Sequence, residues 1–221
     1  MGRDRGANPA GSSAARGGAI PHGARGGGMV SEAPIEMPAD PADVRRAVLA
    51  ARDARQGRCD SFRARTGGSG CVVAVSTVIP GADKRPAGAD LLVRAASAAL
   101  QALGLMTPSS LQEHGEDVLG EFLLFTEPTD GRCMKERCVA LESTLPWGRL
   151  IDLDVYDAEG HPVTRHALGL TERTCFVCDE PARDCMRLGR HREAELQGRV
   201  EALLGSLATG LPGDESQPRR E

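Results

Sequence analysis

Aromatic side chains are scarce in this chain of 221 residues, where one tryptophan, one tyrosine and four phenylalanines make up 3% of the sequence. Such a chain offers few stacking platforms for single-stranded nucleic acid. Its net charge of −4 also differs from the basic excess of proteins that bind nucleic acid without sequence preference. We therefore expect no nucleic-acid partner.

Long apolar runs are missing as well. No stretch of the sequence approaches the roughly 20 consecutive apolar residues that cross a bilayer, and no apolar segment follows the N-terminal arginines as it does in a signal peptide. The sequence thus predicts no membrane partner and a cytoplasmic location. Its seven cysteines, an odd number, are then expected to be free thiols or metal ligands rather than disulfides.

The two ends of the chain differ in composition from its middle. Residues 1–38 and 208–221 lack apolar periodicity, and nine of the first 28 residues are glycine. Such segments bury too little apolar surface to offset the entropy of ordering, so we expect both to be disordered, with Met29 or Met37 as alternative starts. The residues between them, 39–207, are expected to form a single domain.

Apolar periodicity in this middle part predicts helices and strands in irregular order. The expected helices begin at Asp40 and cover 92–103, 130–145 and 190–207, and the expected strands cover 71–79, 118–126 and 149–156. Residues 161–165 are a candidate return strand, and a Cys-containing loop precedes the last helix. Because strands and helices do not alternate strictly, we expect an α+β fold with a mixed or mostly antiparallel sheet and packed helices.

The first helix carries two arginines on or beside its apolar stripe. Arg55 falls in line with Val44 and Val48, and Arg52 lies at the edge of the same stripe. Either the helix frays near Gly57, or both arginines point into a phosphate site. Arginine suits such a site because its planar guanidinium donates two hydrogen bonds at once.

The segment RLIDLDVY, residues 149–156, places two aspartates on one face of a predicted strand. Ile151, Leu153 and Val155 alternate with them, so Asp152 and Asp154 lie about 7 Å apart on the face opposite the core. Two adjacent carboxylates repel each other unless a cation such as Mg²⁺ lies between them. The alternative is a solvated strand edge, and candidates for a third carboxylate are Glu142 and Asp157.

A second group of potential metal ligands lies near the C-terminus. The spacing C-x₂-C-x₆-C-x₅-H can close a tetrahedral zinc site, in which four filled positions indicate a structural ion. Reduced thiols packed in a small core, or a redox role, are the alternatives. The four residues are Cys175, Cys178, Cys185 and His191.

Taken together, residues 141–191 resemble the apo-citrate lyase phosphoribosyl-dephospho-CoA transferases, also called citrate lyase holo-[acyl-carrier protein] synthases. The resemblance extends over roughly 44–206 and includes LAARDARQ (49–56) and VSTVIPGADK (75–84). Its matching positions are Glu142, PWGRLIDLDV (146–155), TRHALGL (164–170), Arg173, Cys175, Cys178, Cys185, Arg187 and His191.

The resemblance implies an enzyme with a nucleotidyltransferase-like fold and reaction. Such an enzyme moves the prosthetic group from 2′-(5″-triphosphoribosyl)-3′-dephospho-CoA to a serine of the citrate lyase acyl carrier (gamma) subunit and releases pyrophosphate. Asp152 and Asp154 would hold Mg²⁺, and Glu142 would be a third ligand or a base. The residues that would contact phosphates or substrate are Arg52, Arg55, Lys84, Arg149, Arg173 and Arg187.

Two positions depart from the family pattern. Leu145 stands where the family has a histidine before Pro-Leu-Gly-Arg-Leu, and Trp147 replaces the leucine that follows the proline. A member that binds donor without turnover is therefore one alternative. The others are a transferase for another carrier, such as that of malonate decarboxylase, and a non-catalytic, zinc-stabilised binding module.

Overall fold

The computed structural model of the chain describes residues 40–67 and 70–210. The predicted disordered segment 1–38 lies outside the described residues. The predicted tail 208–221 begins inside the last turn of the final helix, and residues 211–221 lie outside the described part as well. Within the described ranges, no helix is both long enough and apolar enough to pass through a bilayer.

The first helix, α1 (Pro41–Arg65), begins at the predicted signal. The Asp40 carboxylate accepts hydrogen bonds from the backbone N–H groups of Ala42 and Asp43, and a proline occupies the first turn, where no donor is lost. The helix continues through Gly57 to Arg65, which rules out the alternative that it frays near Gly57. Burial of residues beyond Gly57, among them Phe62, holds this part of the helix on the sheet.

Four strands, β1 (Cys71–Thr77), β2 (Gln112–Asp117), β3 (Gly120–Glu127) and β4 (Ile151–Tyr156), form the sheet. They pair antiparallel in the order β2-β3-β1-β4. Apolar runs predict β1, β3 and β4. The sequence does not reveal β2, because its residues QEHGED are polar and the strand forms by pairing with β3.

The remaining helices are α2 (Leu92–Ala102), α3 (Gly131–Thr144), α4 (Ala182–Leu188) and α5 (Glu193–Gly210), and 3-10 turns cover 89–91, 148–150 and 166–168. Buried side chains of α2, α3 and α5 pack with one face of the sheet as the main core. A smaller cluster joins α1 to the other face. This arrangement confirms the expected α+β fold with an antiparallel sheet.

Two predictions about the C-terminal third are wrong. The predicted return strand 161–165 is a single bridge between Tyr156 and Pro162, followed by a hydrogen bond from Val163 N to Val155 O. The predicted Cys-containing loop holds the short helix α4. The pairing with β4 covers only the residues around this bridge, where Asp157 N also donates to His161 O, and α4 is too short for a periodic apolar pattern.

Gly148→Ala should lower the free energy of unfolding by about 1–3 kcal/mol, the usual cost of overpacking, because a Cβ there would collide with the backbone carbonyl of Glu142. Gly57→Ala is the matched control, since a Cβ at the middle of α1 meets nothing within 4 Å. It should raise the free energy of unfolding by about 0.5–1 kcal/mol. Urea unfolding measures both changes, and a Gly148→Ala protein as stable as the native chain would contradict this packing.

Candidate active site and metal cluster

The aspartate pair of β4 faces a cavity of about 360 Å³ between the sheet and α1. Ile151, Leu153 and Val155 are buried in the main core, and Asp152 and Asp154 point the other way. The alternation predicted from RLIDLDVY is therefore confirmed. Pairing with β1 places Asp152 opposite Ser76 and Asp154 opposite Ala74, which fixes both carboxylates on a rigid strand.

Three of the predicted phosphate-binding cations line this same cavity: Arg52, Arg55 and Lys84. Arg55 is held by Asp117 through two hydrogen bonds of 2.7 Å, and it also donates to Gly120 O at 2.9 Å. Lys84 Nζ donates to Ile79 O at 2.9 Å. Burial, together with the charge of Arg52, lowers the pKa of Lys84, so an anion in the cavity would stabilise its charged form.

The carboxylate of Asp154 is held in an unfavourable environment. Solvent reaches it through the cavity, but it lies deep among protein atoms, and this desolvation together with the charge of Asp152 raises its pKa to about 6. Lys135 Nζ, 3.9 Å from Asp154 Oδ1, opposes the shift. A cation between the two aspartates would remove the repulsion, as the sequence predicts.

Asp152 is bound by an arginine from beyond the strand. Arg173 Nη2 lies 3.0 Å from Asp152 Oδ1 and 2.6 Å from Glu142 Oε1, and Arg173 Nη1 donates to Ile151 O at 3.1 Å. Burial lowers the pKa of Arg173, but the charges of Asp152 and Glu142 outweigh it and raise that pKa. Arg173 is therefore a fixed positive charge beside the aspartate pair.

Glu142 is a buried residue of α3, with 6% of its surface exposed. Its Oε1 accepts from Leu153 N at 2.8 Å, so the carboxylate occupies the outer edge of the strand. Its Oε2 is buried without a hydrogen-bond partner, 3.9 Å from Arg165 Nη1. The roles of third metal ligand and of base stay predictions. Asp157, the other candidate, accepts from His161 N at 2.7 Å and closes the turn after β4.

Lys135 is a site residue that the sequence analysis did not find. It is 4% exposed, and its Nζ donates to Leu153 O at 2.7 Å, on the same strand edge that Glu142 occupies. One signal was available: it is one of only two lysines among 27 basic residues, and it follows Met134 on the buried side of α3.

Arg149 and Arg187 lie elsewhere. Arg149 Nη2 donates to Thr174 O, and its guanidinium lies 4.9 Å from the centre of the Phe176 ring, at a second cavity of about 570 Å³. Arg187 is exposed and pairs with Asp184 at 3.5 Å. Leu145, which replaces the family's histidine, packs partly buried against the main core. The structure thus does not bring these three side chains to the aspartate pair.

The four predicted ligands of the C-terminal cluster converge. Among the described residues, they are the one group of three or more potential metal ligands whose donor atoms meet, all within 4.8 Å of one another. Cys178 Sγ lies 3.5 Å from Cys185 Sγ and 3.3 Å from His191 Nε2. Tetrahedral zinc with Zn–S bonds of about 2.3 Å requires spacings of this order. The cluster can therefore bind a metal ion such as zinc.

The thiols of the cluster differ in their affinity for protons. Burial raises the pKa of Cys175, but the N–H groups of Val177 and Cys178 donate to its sulfur and, with the neighbouring thiols, bring that pKa down to about 7. Burial and the adjacent sulfurs raise the pKa of Cys185 to about 12. A bound cation would favour the thiolate form at each position, because metal ligation requires deprotonated sulfur.

Fold and site together define an α+β protein in which paired carboxylates and facing cations share one cavity and a Cys–His cluster adjoins the aspartate strand. The chain belongs to the apo-citrate lyase phosphoribosyl-dephospho-CoA transferase family, whose model matches residues 44–206. This match confirms the resemblance read from the sequence. The cavity, the aspartates and the cluster all lie within the matched range.

Curated relatives carry the same description. The chain is 39% identical over 90 residues to a probable apo-citrate lyase phosphoribosyl-dephospho-CoA transferase of Streptococcus pyogenes, a match over 39% of this chain and 46% of that protein. It is 29% identical over 135 residues to a Vibrio cholerae protein of the same name, over 60% and 76% of the two chains. Both names describe those relatives as transferases.

A further relative is Protein CitXG of Haemophilus influenzae, 37% identical over 84 residues. That match covers 38% of this chain and 18% of the relative. The chain thus spans less than half the length of the Haemophilus and Streptococcus proteins.

Asp154→Asn should stabilise the protein at pH 8 and not at pH 4. The native pKa of about 6 lies above the ordinary value of 3.8. Ionisation of Asp154 therefore does not destabilise the fold below pH 4, destabilises it increasingly between pH 4 and 6, and does so fully above pH 6. The difference in melting temperature between variant and native chain, measured across this range, tests the shift. Asp90→Asn, 65% exposed at its side chain, is the control, and a pH-independent difference for Asp154→Asn would contradict the repulsion.

Proposed function

We propose that this chain transfers the phosphoribosyl-dephospho-CoA group from 2′-(5″-triphosphoribosyl)-3′-dephospho-CoA to a serine of the citrate lyase acyl carrier (gamma) subunit. One observation carries the proposal: Asp152 and Asp154 share a cavity with Arg52, Arg55 and Lys84 in a chain of this family. A triphosphate needs cations for its oxygens, and a metal on paired carboxylates is a common way to supply more.

The cationic and anionic residues of the cavity have different proposed roles. Lys84 and Arg52 would meet phosphate oxygens, since their charges lie close together and gain from an anion. Arg55 would contribute from a fixed position, because Asp117 already holds it. Asp152 and Asp154 fit a magnesium ion, because desolvation and the charge of Asp152 raise the pKa of Asp154 and a cation would favour its charged form. Bound there, Mg²⁺ would neutralise charge on the triphosphate and on the leaving pyrophosphate.

The proposed reaction is a displacement at phosphorus, and we assign it to the nucleotidyltransferase class. The serine oxygen forms a bond to the phosphorus attached to the ribose, the bond from that phosphorus to pyrophosphate breaks, and the hydroxyl proton passes to a base or to water. We assign Glu142 and Arg173 to positioning, because Glu142 is buried behind β4 and Arg173 joins it to Asp152. Arg149 would act on the Cys-containing loop, which it contacts, and Arg187 would stay a surface contact.

The test is the intact mass of the apo carrier subunit after incubation with this protein, Mg²⁺ and the triphosphoribosyl donor. We expect a gain equal to the donor minus pyrophosphate. The double variant Asp152→Ala Asp154→Ala should lower the rate by at least about a thousandfold, as loss of metal and charge stabilisation does. Asp90→Ala, an exposed aspartate outside this cavity, is the control and should keep the native rate.

The negative outcomes separate the alternatives. If the citrate lyase carrier gains no mass and the carrier of malonate decarboxylase does, the acceptor is the malonate decarboxylase carrier. Donor binding without transfer to either would favour a degenerate member, as Leu145 suggests. Full activity of the double variant would overturn the role assigned to β4.

We also propose that the Cys–His cluster holds one structural zinc ion, supported by four converging ligands and their spacing. Cys178→Ser should abolish stoichiometric zinc, measured by elemental mass spectrometry, and lower the melting temperature by about 5–10 °C, since binding of the ion contributes to folding. Cys133→Ser, an exposed cysteine of α3 outside the cluster, is the matched control. Equal zinc content in the two variants would exclude the site.

A further inference from the structure

The Cys–His cluster is flanked by two residues that contact different elements around the aspartate cavity. Arg173 stands two residues before Cys175, the first ligand, and Glu193 stands two residues after His191, the last. Arg173 contacts Asp152, which lines the cavity, and Glu193 contacts the loop between Ile79 and Lys84, whose two ends line it. The segment 173–193 therefore connects β4 and this loop through the cluster.

The Arg173 end is tied to the cluster by main-chain hydrogen bonds. Arg173 O accepts from Ala182 N at 2.9 Å, and Cys175 N donates to Glu180 O at 2.7 Å. These bonds close a small hairpin whose turn carries Cys178. The side chain of Arg173 then extends to Asp152, at 3.0 Å. The position of the hairpin thus sets the position of the guanidinium beside the aspartate pair.

The Glu193 end supports the loop that carries Lys84. Glu193 Oε1 accepts from Ala82 N at 2.6 Å. The carboxylate lies so close to Gly81, whose φ is +90°, that a Cβ at that position would collide with it. Lys84 lies two residues after Ala82, and its Nζ donates to Ile79 O. Glu193 is thus a support of the loop, although it lies 109 residues from Lys84 in the sequence.

The hairpin at the Arg173 end and the start of α5 at the Glu193 end are joined only weakly through the main chain. The connection between α4 and α5 includes the hydrogen bonds from Gly189 N to Met186 O and from Arg190 N to Cys185 O. Two side-chain contacts cross from the hairpin to the residues before α5: Cys178 Sγ to His191 Nε2, 3.3 Å, and the ion pair of Glu180 with Arg190, 3.9 Å. A metal ion bound by residues of both parts would make this connection rigid, because each ligand bond fixes one side chain relative to the others.

We propose that residues 173–193, with a metal ion in the Cys–His cluster, form a clamp that positions both of these elements around the cavity. Arg173 positions Asp152, and Glu193 positions the loop of Lys84. Both act as positioning residues, and neither needs to touch substrate. The consequence for catalysis rests on the proposed function of the cavity, whereas the mechanical link does not.

The link is tested by hydrogen exchange of the Ala82 amide, followed by NMR of the ¹⁵N-labelled, zinc-loaded chain. Glu193→Ala should increase the exchange rate by about tenfold, the order expected for loss of a hydrogen bond to a charged group. Glu193→Gln keeps an acceptor oxygen and should restore most of the protection. Glu201→Ala, an exposed glutamate of the same helix, is the matched control and should leave the rate unchanged.

Removal of zinc with a chelator should expose the same amide in the native chain. In the stripped protein, Glu193→Ala should then change the exchange rate by less than about twofold, because two perturbations of one coupled unit are not additive. Circular dichroism checks that the sheet and helices persist. An Ala82 exchange rate that zinc removal leaves unchanged overturns the clamp, even where Glu193→Ala raises it by loss of the direct hydrogen bond.

Calorimetric binding of Mg²⁺-pyrophosphate separates the clamp from the proposed reaction. If the cavity binds phosphates, Glu193→Ala should weaken this binding by about threefold to tenfold and Glu193→Gln much less. Loss of Ala82 protection with unchanged pyrophosphate affinity would contradict the role of the clamp in the cavity. Loss of protection in a chain that does not bind pyrophosphate at all would uphold the mechanical link and count against the proposed function.

Discussion

Arg173 lies between two carboxylates, Asp152 on the cavity face of β4 and Glu142 buried behind the strand. Both contacts carry a desolvation cost, since burial of an unpaired charge costs several kcal/mol. A buried ion pair offsets this cost only with good geometry and further hydrogen bonds. Those bonds are present: Glu142 accepts from Leu153 N, and Arg173 donates to Ile151 O. Because β4 is an edge strand, these side chains and Lys135 supply the partners that a fifth strand would otherwise provide.

This edge arrangement explains how a strand at the margin of a small sheet can present two carboxylates to solvent in fixed positions. The strand is held by β1 on one side and by α3 and Arg173 on the other, so its alternation cannot slip. The electrostatic consequence is a cavity with excess negative charge at Asp154 and excess positive charge at Lys84. An anionic ligand that brings its own divalent cation would satisfy both sides at once.

Several site features were predictable because they depend on local pattern alone. The period-two alternation of RLIDLDVY predicted which face the aspartates occupy, and the cysteine spacing predicted four ligands that converge. The apolar stripe of α1 left two alternatives for Arg55, and the structure shows the one in which Arg55 faces the sheet and lines the cavity. The pattern did not predict the position of Arg149, which lies two residues before β4 and yet contacts Phe176 of the Cys-containing loop. A 3-10 turn at 148–150 directs it there, and Gly148 permits that turn against α3.

By itself, the sequence determined the family, the α+β class, three of the four strands and the helix that begins after Asp40. It also determined which residues form the aspartate pair and the Cys–His cluster. These follow from short-range periodicity, capping and spacing, which act within one turn or one strand. Only the tertiary structure decided that polar β2 completes the sheet, that Lys135 and Glu142 share the edge of β4, and that Glu193 supports the loop of Lys84. Each of these contacts joins residues of separate elements, and their partners are chosen by the packing of helices on the sheet, which no local pattern encodes.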